Sequence, residues 1–69
     1  MAHPSTVSLL RYFEHDHLDP RLADVSAPFA TLAQNLCDDP GLSGPELMVA
    51  LRKLLEAKDC AVRAALPPI

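Results

Sequence analysis

The sequence predicts an all-α fold: a short N-terminal helix followed by an antiparallel helical hairpin, in one domain over residues 1–69. Three observations predict it. Twelve leucines and many alanines accompany only two glycines and three aromatic residues, a composition that favours helix over strand. Apolar residues recur three and four apart over two long stretches, as on one face of a helix. The seven prolines fall at element boundaries and in the loop, with Pro28 the one exception.

The first helix is expected from Pro4 to Phe13. Pro4 or Ser5 opens it, and Val7, Leu9 and Leu10 give it a small apolar face. Glu14-His15-Asp16-His17-Leu18 reads as a polar turn. Asp19-Pro20 then supplies an N-cap followed by proline at the first helical position. The second helix should run from Pro20 to about Cys37, with Leu22, Val25, Phe29, Leu32, Ala33 and Leu36 on one face. Pro28 lies inside it and removes the bond to the Asp24 carbonyl, so a kink is expected there, with Ser26 placed to cap a restarted helix.

Asp38-Asp39-Pro40-Gly41-Leu42 forms the loop, and Ser43-Gly44-Pro45-Glu46 reads as a capping box. The third helix extends to Ala65 or Leu66 and is stopped by Pro67-Pro68. Leu47, Ala50, Leu51, Leu54, Ala57, Ala61, Val62 and Ala65 form its apolar stripe. Arg52 with Glu56, and Asp59 with Arg63, stand four apart, each pair worth about 0.3 kcal/mol on a solvated face. The short loop makes helices two and three antiparallel.

Size points outward. A chain of 7.5 kDa buries only about 60% of the surface its unfolded form exposes. Leu55 is left without a partner inside the monomer, and alanines at 50, 57, 61, 64 and 65 permit close approach of another helix. A homo-oligomer that completes the core is the expected remedy.

The net charge of −3 excludes a general binder of duplex DNA or RNA, which needs a basic excess to displace counterions. No apolar run reaches the length of a membrane span, and no basic-then-apolar leader is visible. Two cysteines are too few for a disulfide framework. In an antiparallel hairpin Cys60 stands roughly 24 Å along the helix from the level of Cys37, too far to bond. Both are expected as buried small apolar residues, in a cytoplasmic protein.

Chemistry-bearing clusters are few. His15 and His17, with Asp16, Asp19 and His3, suggest a metal site, but they lack a partner ligand at helical spacing and there is no Cys-x-x-Cys; a polar turn explains them as well. A small metal-dependent hydrolase built on the two histidines is therefore a remote reading. No nucleophile elbow or phosphate loop appears, so neither an enzyme nor a cofactor is expected. Arg52, Lys53, Lys58 and Arg63 place four of the six basic groups on the third helix, while Arg11 and Arg21 flank the histidine-rich turn. They suit an anionic ligand held between subunits, with Tyr12, Phe13 or a histidine stacking on a base. Spacing alone favours the plainer reading, the solvated face of an amphipathic helix.

Glu46-Leu-Met-Val-Ala50-Leu51-Arg-Lys53-Leu54-Leu-Glu56-Ala57 resembles the second-helix pattern of the bacteriophage helical-hairpin nucleotide sponges, the small anti-CBASS and anti-Thoeris proteins. Arg11-Tyr12-Phe13-Glu14-His15 is similar to their Arg-Phe-x-Tyr entry, and Leu32-Ala33 matches a Leu-Ala in their first long helix. The resemblance spans about residues 11–66. It implies a non-catalytic homo-oligomer, often a hexamer, that works in the host bacterial cytoplasm. Such proteins sequester cyclic oligonucleotides or cyclic ADP-ribose-type messengers of antiphage defence at subunit interfaces. His15 stands where the family has its entry tyrosine, and Lys53 at the lysine of the Ala-Leu-x-Lys pattern. The chain departs from the pattern at Cys60-Ala61-Val62, where members often read Trp-Ala-Asn, and at Val25-Ser26-Ala27-Pro28, where they carry basic residues. The ligand set implied by resemblance and placement together is Arg11, Tyr12, Phe13, His15, His17, Arg52, Lys53 and Arg63. A reading of a different class stands beside it: an adaptor that binds a protein partner through its exposed leucines and alanines.

Overall fold

The computed structural model describes residues 9–13 and 19–66. Among the described residues the structure is all-helical, and two long helices, α1 (Pro20–Asp38) and α2 (Pro45–Ala65), pack on each other. A 19-residue helix is about 28 Å long, whereas the six residues between α1 and α2 span at most about 20 Å. The connection cannot return to the start of α1, so the helices are antiparallel. Of the expected N-terminal helix, Leu9 and Leu10 are helical and the chain then tightens into a 3₁₀ turn, η1 (Arg11–Phe13). Its earlier residues, and the turn at 14–18, lie outside the described residues.

The start of α1 follows the sequence signal. Asp19 is extended and its Oδ1 accepts from the Leu22 amide at 3.1 Å, while Pro20 takes the first helical position. The helix runs unbroken through Pro28. Pro28 and Asp24 are both exposed, so water can reach the carbonyl that proline leaves without a donor. Ser26 consequently caps nothing: it is fully buried in mid-helix, and its Oγ has no hydrogen-bond partner.

Asp39 organises the reversal. Its Oδ1 accepts from the Gly41 amide at 2.8 Å and its carbonyl from the Leu42 amide at 3.1 Å, with Pro40 in the position that presets a β-turn. The expected Ser43 capping box does not form. Gly44 takes φ 83°, ψ −169° and becomes the N-cap itself, with no side-chain cap bond, and Pro45 begins α2. That backbone conformation is open only to glycine, and it moves Ser43 one residue too far from the helix to cap it. Glu46 still favours the first turn, through the dipole.

The core is small. Phe13, Ala33 and Leu51 are its fully buried apolar residues, wrapped by Leu9, Leu10, Phe29, Leu36, Leu47, Leu54 and Leu55 among others. Leu55, expected to lack a partner, packs against this cluster. η1 rests on both long helices, so a third element supplies what the two-helix seam cannot.

Candidate functional site

The predicted ligand residues divide into three groups. Phe13 is 2% exposed and sits at the centre of the core. It cannot stack on a ligand, which corrects its assignment to the binding set. Phe13 and Tyr12 cannot both turn inward from adjacent positions, and the ring without a hydroxyl takes the core.

Tyr12, by contrast, is 65% exposed, and Arg11 beside it is exposed too. Phe13 holds this pair in place: its ring belongs to the buried cluster that contains Ala33 and Leu51, and η1 touches both long helices. Arg52 and Lys53 follow Leu51 directly, and both are exposed. η1 thus presents an exposed aromatic ring and guanidinium against the hairpin, while α2 carries two exposed cations about 100° and 200° round the helix from Leu51. Such a set can stack on a planar base and neutralise phosphate oxygens. His15 and His17 lie outside the described residues, as does His3.

Arg63 lies three turns further along α2, exposed, and its Nη2 donates to Cys60 Sγ at 3.3 Å. The expected pair with Asp59 is not made. Asp59 Oδ1 instead holds Lys58 Nζ at 2.9 Å, with the Lys58 side chain only 12% exposed. The lysine lays its methylene stem along the packed side of α2 and brings its ammonium out to the neighbouring carboxylate. Arg52 and Glu56 form no ion pair either; both side chains stay in water, where such a pair gains little over hydration.

The cysteines differ from expectation in one respect. Both are free thiols, as their separation requires, but Cys60 is exposed and only Cys37 is partly buried against the core. Burial, and then the adjacent Asp38 carboxylate, push the Cys37 thiol above its ordinary range. Among the described residues no three histidine, cysteine or acidic side chains converge as metal ligands. Nor, among them, is any helix long and apolar enough to cross a membrane. The chain matches no protein-family model, and no curated protein or solved structure gives a match.

Proposed function

We propose that this chain is a non-catalytic binding protein that self-associates and sequesters nucleotide second messengers, cyclic oligonucleotides or cyclic ADP-ribose-type molecules, between its subunits. In this reading it is a phage protein that disarms antiphage signalling in the bacterial cytoplasm. The observation that carries it is the exposed Arg11-Tyr12 pair on η1, which Phe13 anchors in the core and which touches the helix that carries the exposed Arg52 and Lys53. The resemblance over residues 11–66 supplies the ligand class.

The mechanism needs affinity rather than turnover. Tyr12 stacks on a base, and Arg11, Arg52 and Lys53 meet phosphate oxygens with charge-assisted hydrogen bonds. Messenger held this way is withdrawn from its receptor by mass action. A local cluster of cations suffices on an acidic chain, because a dinucleotide carries its charge at a few points.

Titration calorimetry against a panel of cyclic di- and trinucleotides and cyclic ADP-ribose isomers tests the reading. One member should bind, and Tyr12→Ala should weaken it by about 1–3 kcal/mol, the worth of one stacked base. Lys53→Ala should weaken it more at low salt than at high salt. A folded, oligomeric sample that binds no member sinks the proposal. The adaptor reading then leads, favoured by the exposure of Leu32, Leu42 and Val49.

A further inference from the structure

The seam between α1 and α2 carries a polar layer. α1 ends at Asp38, five residues past Ala33, and α2 begins at Pro45, six before Leu51. On antiparallel helices this puts Ala33 and Leu51 at one level, and both are fully buried in one cluster. Seven residues further from the loop on each helix come Ser26 and Lys58. Seven residues rise about 10 Å and return to within about 20° of the same side, so these two stand across the seam from each other as Ala33 and Leu51 do. Burial agrees. Ser26 is fully buried, and the Lys58 side chain is only 12% exposed although it carries a charge. Steps of four and eleven from Ala33 and Leu51 give the layers on either side, Phe29 with Leu55 and Leu22 with Val62, and those are apolar.

Such a layer lowers stability. The Ser26 hydroxyl is buried without a partner, and the Lys58 stem is held along the seam while its ammonium meets Asp59 at 2.9 Å. What it supplies in return is selectivity, because a single polar position in a helix seam fixes which surfaces meet. An apolar side chain at position 58 would extend the stripe of α2 from Leu47 to Val62 without a break, and two copies of the chain can pair through such a stripe. Lys58 breaks it. Its four methylenes need a small residue opposite, and its ammonium needs a way out to a carboxylate. Ser26 supplies the first and Asp59 the second. From Leu47 to Leu55 every covered residue of α2 is large, so the same stripe on a second copy offers no such gap there.

We propose that the Ser26–Lys58 layer directs α2 onto α1 and away from α2 of a second copy.

An exchange of sizes, read by urea unfolding, tests the opposition of the two residues. Ser26→Leu overfills the layer and should lower the folding constant roughly tenfold or more. Ser26→Leu combined with Lys58→Ala again pairs one large residue with one small one, as in Ala33 with Leu51, and should recover most of that loss. A double variant no more stable than Ser26→Leu alone overturns the layer. Lys58→Leu tests the selectivity. Its thermal midpoint should rise, and sedimentation velocity should show masses that wild type lacks at the same concentration. Glu56→Leu adds the same side chain on the exposed side of α2 and should keep the wild-type distribution. A Lys58→Leu protein that is less stable than wild type, or that keeps its distribution, overturns the proposal. So does a Glu56→Leu protein that shifts the distribution in the same way.

Discussion

Ser26 provides the sharpest test of the packing. Its side chain is fully buried in the middle of α1, and Oγ has no partner. A hydroxyl in that position has lost its water and gained nothing, a penalty of about 1–3 kcal/mol. Ser26→Ala removes the oxygen and keeps Cβ, and it exchanges serine for the best helix former, a gain of roughly 0.5 kcal/mol in a helix interior. The void left by one oxygen gives back part of this, so a net stabilisation of about 1–2 kcal/mol is expected. For a domain of this size that raises the melting temperature by roughly 4–16 °C. Urea and thermal unfolding followed at the far-ultraviolet helix band read it directly. Wild type and variant must be compared at one protein concentration, because the proposed association would add stability by mass action. A variant no more stable than wild type refutes the reasoning, and means that Oγ bonds a backbone carbonyl or a buried water in solution.

Other substitutions probe the remaining features. Leu51→Ala empties the centre of the core and should cost about 2–5 kcal/mol, enough to unfold most of so small a domain at room temperature; a cooperative transition near the wild-type midpoint would contradict the assigned core. Gly44→Ala should destabilise by about 1–3 kcal/mol, since alanine resists the backbone that begins α2, and chemical denaturation will show whether it does. Thiol titration with a disulfide reagent should label Cys60 quickly and Cys37 slowly. The contrast should narrow as pH rises, because burial and Asp38 hold the Cys37 thiol protonated beyond its ordinary range; equal rates at neutral pH would contradict the burial of Cys37.

Much of the fold was legible because its signals are local. Asp19-Pro20 marks the start of α1, Pro45 the start of α2, and periodic leucines and alanines both apolar faces, and each of these holds within a turn or two of chain. The signals that failed depend on distance. Ser43 and Glu46 have capping-box spacing, yet the conformation of the intervening Gly44 decides which residue becomes the cap. Ser26 looks like a restart signal next to Pro28, but its burial comes from what packs on that side of α1. Leu55 seemed unpartnered when only two helices were counted, and the third element that rests on both was not in that count.

The candidate site shows the same division. Spacing brought out the cations on α2, of which Arg52, Lys53 and Arg63 are exposed and Lys58 is largely covered. Spacing could not tell which of two adjacent aromatics enters the core. Phe13, the ring without a hydroxyl, is the one that does, and Tyr12 keeps its polar end in water. Nor could spacing choose between Lys58 and Arg63 as the partner of Asp59, a choice set by side-chain reach on a curved surface.

The central claim is capture without chemistry, and one measurement addresses it most directly. Purified protein is incubated with each messenger of the panel, removed by filtration and digested with protease, and the released ligand is identified by mass. The account predicts that one messenger disappears from solution in proportion to protein and returns intact after digestion. Recovery of a cleaved or altered nucleotide would contradict it by revealing an enzyme, and a full panel left in solution by folded protein would show that nucleotides are not what this hairpin binds.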